Sequence, residues 1–241
     1  MNTAPGFSMH TPQRRFADRR EAGRMLGEEL RPYARRPDLL VLALPRGGVP
    51  VAREVARTLD APLDVLVVRK LGVPGHEEVA MGAIASGGGR VLNRDTIQHL
   101  GIPISLVEEA TAFERRELER RERVYRGVRP APEVRGRTVI VVDDGLATGA
   151  TMLAAVGALR EEGPASIVVA VPVGSVEACA VVRRAADDCV CVLTPDPLGA
   201  VGLWYVNFTQ TTDEEVHALL ADAASERSTR EARARLEPYP H

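Results

Sequence analysis

Short apolar runs rich in Val, Leu and Ile recur along the chain, and most are followed by stretches whose apolar positions repeat at helical spacing. The runs are too short for buried helices. They predict strands at 38–44, 62–68, 137–142, 165–171 and 189–193. Helices are predicted over 17–31, 49–59, 150–162 and 175–186, and within 93–99 and 103–126. Strands alternating with helices specify an α/β fold with a mostly parallel central sheet covered on both faces. Residues 71–92 interrupt the alternation with a glycine-rich loop of hairpin potential. Helix 103–126 places Leu106, Ala110, Phe113 and Val124 on one stripe. Its remaining surface carries the i,i+4 pairs Glu117/Arg121, Glu119/Arg123 and Glu122/Arg126, which suit a solvated helix.

A polar lead, 1–14, is expected to be disordered. Residues 15–223 are expected to form one domain with a small hood at about 194–212, followed by a frayed polar tail, 224–241. The near-neutral formal charge of −2 argues against bulk attraction to nucleic acid. No apolar run reaches the ~20 residues that span a bilayer, and no signal peptide is visible. Cys179, Cys189 and Cys191 lack zinc spacing and fall in apolar patterns, so buried thiols in a reducing cytoplasm are expected.

The chemistry concentrates in VIVVDDGLATGAT, residues 139–151. Asp143 and Asp144 follow an apolar strand directly. The turn Gly145-Leu146-Ala147-Thr148-Gly149-Ala150-Thr151 then leads into a helix. Its backbone N–H groups and two hydroxyls can meet one phosphate at the helix N-terminus. Carboxylates repel phosphate, so the acid pair suits the vicinal hydroxyls of a ribose instead. The whole reads as a sugar-phosphate cradle. GxxxxGK[ST] and GxGxxG are absent, which excludes a P-loop NTPase and disfavours a Rossmann site; Gly87-Gly88-Gly89 is only a glycine run. A receiver domain would need a late lysine, and none follows position 70.

The chain has thirty arginines and one lysine, Lys70. Lys70 is expected beside Arg69 at the carboxyl end of strand 62–68, the edge where open α/β sheets bind ligands. A compact ammonium suits oxyanions that a planar guanidinium fits differently. A second turn, Leu44-Pro45-Arg46-Gly47-Gly48-Val49, follows an apolar strand and opens a helix. Its paired glycines let the backbone approach a ligand closely.

Residues 139–151 resemble the phosphoribosyl-pyrophosphate (PRPP) loop of type I phosphoribosyltransferases, most closely the adenine-type variant with alanine at position 147. More widely, FADRREAGRML, PRGG and VGLWYVNFTQTTDEEV resemble a group of uncharacterised bacterial phosphoribosyltransferases over roughly residues 15–220. The resemblance implies the type I phosphoribosyltransferase fold, with PRPP 5-phosphate on Gly145 to Thr151. Pyrophosphate is expected on Arg46, Gly47, Gly48, Arg69 and Lys70, with a non-proline cis peptide often found in the PRGG turn. Residues 71–85 would be a flexible lid, in which His76 and Glu77 can touch pyrophosphate or its metal. One face of Trp204 or Tyr205 would stack on a planar acceptor in the hood. Asp143, Asp144, Lys70 and Arg69 are the candidate catalytic residues. Mg²⁺ is the expected cofactor, held near Asp143 and Asp144 largely through ligand and water. Ala147 cannot act as the general base that 6-oxopurine enzymes carry there. The expected partners are PRPP, pyrophosphate and a small nitrogen acceptor, in a cytoplasmic homodimer that binds neither membrane nor nucleic acid. The rival is a PRPP-sensing regulator of the same fold without transferase activity.

Overall fold

The computed structural model describes residues 15–236. In chain order these form α1 (Arg19–Glu29), β1 (Leu39–Ala43), α2 (Gly48–Leu59), β2 (Leu63–Val65), β3 (Val68–Val73), β4 (His76–Ala85), β5 (Arg90–Leu92), α3 (Arg94–His99), α4 (Ile104–Arg126), β6 (Thr138–Val142), α5 (Ala150–Glu162), β7 (Ser166–Val173), α6 (Val176–Ala185), β8 (Asp188–Leu193) and α7 (Asp213–Leu236). The expected lead, 1–14, and residues 237–241 of the expected tail lie outside the described residues.

The aliphatic runs pair into one parallel sheet in the order β2-β1-β6-β7-β8. Alternating side chains serve opposite faces of this sheet. From β1 and β6, Leu39, Val41, Ala43, Ile140 and Val142 pack with α2, α4 and α7. Leu40, Leu42, Val139 and Val141 pack with α5 and α6 on the other side. Both faces are therefore covered, which is why the strands read as continuous apolar runs. Each fully buried Leu or Val contributes about 1.5–3 kcal/mol.

This arrangement positions the candidate site. β1 and β6 are neighbours, yet the helices that follow them cover opposite faces. Their loops, 44–47 and 143–149, therefore diverge from a shared sheet edge and leave a crevice at the strands' carboxyl ends.

Two expectations are corrected. The strand predicted over 62–68 is broken: β2 ends at Val65, and Val68 begins an antiparallel sheet of order β3-β4-β5. Leu66 still donates to the Ala43 carbonyl, whereas Val67 exchanges hydrogen bonds with Ser86, the residue after β4. Lys70 accordingly lies within β3, opposite Ala83, and not at the end of a parallel strand. The expected lid segment, 71–85, takes the form of the β3–β4 hairpin, in line with its hairpin potential, and turns at Gly75 with φ +80°. Residues 224–236 continue α7 instead of fraying. Val216 and Leu220 seat that helix in the core, and the ion pairs Arg53–Glu226 and Arg230–Asp60 hold its later turns against α2 and the residue after it.

Cys179 and Cys189 are buried free thiols, and Cys191 is half-buried. Among the described residues no helix is long and apolar enough to cross a membrane.

The carboxyl end of α4 is fixed by charge. Arg126 is buried and donates from Nε to Asp64 Oδ1 at 2.8 Å, from Nη2 to the Val65 carbonyl at 2.6 Å and from Nη1 to Glu122 at 2.6 Å. Removing one partner strands the other charge in the core. Arg126→Met is expected to lower the unfolding free energy by about 3–5 kcal/mol in urea denaturation, and Asp64→Asn in the same chain to restore part of that loss.

Candidate functional site

The site begins where β6 ends. Asp143 accepts the Asp144 backbone N–H on Oδ1 at 2.8 Å. Asp144 Oδ2 receives two donors from Arg19, Nε at 2.8 Å and Nη2 at 2.7 Å. Arg19 is the first residue of α1, and its place is fixed by the Asp18 N-cap, whose carboxylate accepts the Glu21 N–H. Its third nitrogen, Nη1, donates to the Thr209 carbonyl at 2.8 Å. The guanidinium carbon lies 3.9 Å from the Phe208 ring centroid, a cation–π contact. Tyr205 Oη donates to the Asp144 carbonyl at 2.5 Å. Helix α1, the segment around 205–209 and the acid pair are thus joined through one residue's two polar ends.

Electrostatics follow from burial. Asp143 is pushed well above the usual carboxylate range, first by burial and then by the charge of Asp144. Burial also raises Asp144, while Arg19 opposes the shift by its charge and its hydrogen bonds.

The loop after the pair presents donors. Leu146 is buried, and its N–H donates to the Val173 carbonyl. Ser175 pins the loop from between β7 and α6: its N–H donates to the Leu146 carbonyl and its Oγ to the Ala147 carbonyl. Ala147 and Thr148 are exposed. The N–H groups of Ala147, Thr148 and Gly149 have no acceptor among the described residues. Gly149, at φ +78°, turns the chain into α5, whose own first N–H groups point the same way. Clustered free N–H groups at a helix start attract an anion.

The 44–48 turn packs directly on the acid pair. The Pro45–Arg46 peptide is cis. A Cβ on Gly47 would lie 2.0 Å from Asp144 Oδ2, and one on Gly48 would lie 2.7 Å from the Val142 carbonyl oxygen. Only glycine permits this approach.

The structure brings together Asp143, Asp144, Gly145 to Thr151 and Arg46 to Gly48. It places the other candidates elsewhere. Arg69 is paired with Glu114 of α4 at 2.6 Å. With exposed Lys70 it lines a cleft of about 600 Å³ between β3 and α4, alongside Phe113. His76 is exposed at the start of β4; Glu77 follows in that strand. The stacking role expected of Trp204 and Tyr205 is corrected. Both rings are buried; Trp204 Nε1 donates to the Leu198 carbonyl, and Tyr205 packs between Phe16 and Phe208. Neither has an open face for a planar acceptor. A cavity of about 390 Å³ does open beside the loop, lined by Ala147, Thr148, Ser175, Glu177, Leu198 and Gly199 among others.

Sequence reasoning missed Arg19. Its one signal was the FADRREAGRML segment, noted for resemblance and not for chemistry.

The two carboxylates could share a cation, but no group of three or more His, Cys, Asp or Glu among the described residues forms a metal cage. A hard divalent ion fits here only if most of its oxygens come from a ligand and water.

A model of the phosphoribosyl transferase domain family matches residues 17–203. Two Mycobacterium tuberculosis proteins, of strains H37Rv and CDC 1551, carry provisional phosphoribosyl transferase names. Each is 46% identical to this chain over 205 residues, which is 85% of this chain and 46% of the relative. The chain thus spans about half the length of those relatives. A crystal structure of a Thermus thermophilus protein is 45% identical with a TM-score of 0.78, covering 86% of this chain and 98% of that one.

The raised Asp143 carboxyl has a consequence for stability. Its folded pKa lies above the unfolded value of about 3.9, so the native state binds more protons across that window. Stability should therefore fall as pH rises from about 4 through the native pKa. Asp143→Asn is expected to flatten that slope and raise the melting temperature at pH 7, measured by calorimetry across a pH series.

Proposed function

The chain belongs to the phosphoribosyl transferase domain family, and we propose that it binds PRPP with Mg²⁺ and transfers ribose 5-phosphate to a nitrogen acceptor, releasing pyrophosphate. One observation carries this reading: a cluster of free backbone donors stands at a helix start immediately after a half-buried acid pair. The donors of 147–151 suit the 5-phosphate, and the carboxylates suit ribose hydroxyls, which can donate to them.

In the proposed reaction the bond from the anomeric carbon to pyrophosphate breaks, and its electron pair leaves on the pyrophosphate oxygen. The acceptor nitrogen forms the new bond to that carbon and gives up a proton. Asp144, fixed by Arg19 and Tyr205, and its neighbour Asp143 favour the positive charge that develops on the ribose ring. Arg46, the Gly47 N–H and the close-packed Gly48 stand on the pyrophosphate side; the Gly48 N–H itself donates to the Leu44 carbonyl. Mg²⁺ on the ligand's oxygens, close to the acid pair, would supply countercharge for the leaving group.

The β3–β4 hairpin would bring Arg69, Lys70, His76 and Glu77 to the pyrophosphate by closing as a unit, which requires release of Arg69 from Glu114. The acceptor would enter the cavity beside Ala147, where Glu177 is the lining carboxylate that can take its proton. A homodimer is the proposed assembly.

Isothermal titration calorimetry tests the reading: PRPP with Mg²⁺ should bind and should raise the melting temperature, since a ligand of the folded state alone stabilises by mass action. Absence of binding would sink it. Gly47→Ala, which drives a methyl into Asp144, and Asp144→Asn should each weaken PRPP by about tenfold or more while changing inorganic phosphate affinity little. Equal losses for both ligands would show that the carboxylates do not read the ribose.

A further inference from the structure

We propose that a second anion site, for a small phosphate-bearing ligand, lies beside the 44–48 turn, between that turn, α4 and the start of α7. The cavity there has a volume of about 170 Å³ and is lined by Arg46, Arg120, Arg121, Val124, Tyr125 and Asp213. It shares no residue with the 145–151 loop and meets the proposed pyrophosphate side only at Arg46.

Three guanidinium groups from two separate elements converge on it, and their donors are not used up. Arg120 gives Nε and Nη2 to Glu117 at 2.8 and 2.9 Å. Arg121 gives only Nε to Glu117, at 2.9 Å. The Arg46 side chain makes no hydrogen bond to a described residue and meets Asp213 Oδ1 only at 3.8 Å. Nη1 of Arg120, both Nη groups of Arg121 and the whole Arg46 fork remain available. Forked N–H donors match the oxygen spacing of phosphate, and several forks around one point favour a multiply charged oxyanion.

The acids match the guanidiniums in charge but leave these donors open. Glu117 is committed to two arginines, whose hydrogen bonds hold its carboxyl down at about 2. Asp213 accepts the Tyr125 hydroxyl at 3.0 Å and stands where an incoming oxyanion would stand. Glu117, Asp213 and Glu214, which senses the charge of Arg46, balance the three guanidiniums, so an oxyanion is drawn by the unused forked donors and not by net charge. A bound phosphate would replace the long Arg46–Asp213 contact with short, charge-assisted bonds. The cavity admits a phosphate group and not a nucleotide, so the ligand is either a free phosphate or the phosphate end of a larger molecule lying outward.

Arg46 links this cavity to the acid pair, because its neighbour Gly47 rests on Asp144. Only that coupling rests on the function proposed above; the site itself does not.

The test titrates inorganic phosphate, and separately methyl phosphate, into the full chain by calorimetry, with ribose 5-phosphate present in excess to fill the 145–151 loop. One phosphate site should remain. Arg120→Gln with Arg121→Gln should weaken it at least about tenfold, and Asp213→Asn, which removes a competing negative charge, should tighten it several-fold. These residues lie at the surface, and unchanged circular dichroism would show that the variants fold. Methyl phosphate binding as well as inorganic phosphate assigns the site to a phosphomonoester; rejection of methyl phosphate assigns it to the free ion. Phosphate binding that is indifferent to Arg120→Gln with Arg121→Gln, or weakened by Asp213→Asn, overturns the proposal. Because neither variant touches the acid pair, loss of PRPP binding by the wild type would overturn the transferase reading and leave this result standing.

Discussion

Two carboxylates at the end of a buried strand are costly, and the Arg19–Asp144 ion pair makes them tenable. Buried pairs are poor sources of net stability but strong sources of position, because either charge alone would be stranded. Arg19 fixes Asp144 Oδ2, stacks on Phe208 and holds the Thr209 carbonyl. The acid pair therefore cannot move without carrying α1 and the 205–209 segment with it. Asp143, which lacks such a cation, carries the electrostatic penalty of the site. Stability is given up at one residue so that the neighbouring one can be aimed.

The sheet order shapes the rest of the site. Adjacent β1 and β6 send α2 and α5 to opposite faces, and both loops end up within contact distance of the same two carboxylates. The glycines at 47 and 48 close that distance further than any side chain allows. A donor-lined loop on one side and a glycine turn on the other form a cleft whose walls are largely backbone, so its shape is set by the fold and little by rotamers.

How much of this was legible depends on how local the cause is. β1 and β6 are buried on both faces, so Leu39–Ala43 and Thr138–Val142 carry their assignment in five residues each. Asp143 to Thr151 is legible for the same reason: acid pair, turn and helix start are contiguous. Arg19 is not, because its partner is 125 residues away and nothing in a helix's first turn marks a buried guanidinium. Lys70 was misplaced because Leu66 and Val67 are apolar on both sides of a change of sheet, and hydrophobicity does not record which sheet a residue joins. Trp204 and Tyr205 show a similar limit. Scarce aromatic rings suggest an open stacking surface, whereas the indole N–H and the phenol commit their polar ends to backbone carbonyls inside the core. The convergence of Arg46 with Arg120 and Arg121 was likewise hidden in a helix whose charges pair well with one another.

The bridge between Phe16 and Tyr205 brings nearly opposite ends of the domain together. Arg19 reaches Thr209 across 190 positions of chain. During synthesis from the N-terminus, the arginine leaves the ribosome first and the carbonyl that completes its shell leaves late. Strands β1, β6 and β7 can pair well before then, so a sheet with its acid pair in place exists while the guanidinium is still without Phe208 and Thr209. Closure entropy over so long a span is recovered only when the final contacts form. The order of translation therefore separates the framework from its finishing contacts: the chain acquires a fold first, and the completed Arg19 shell only once the segment around residue 209 has arrived.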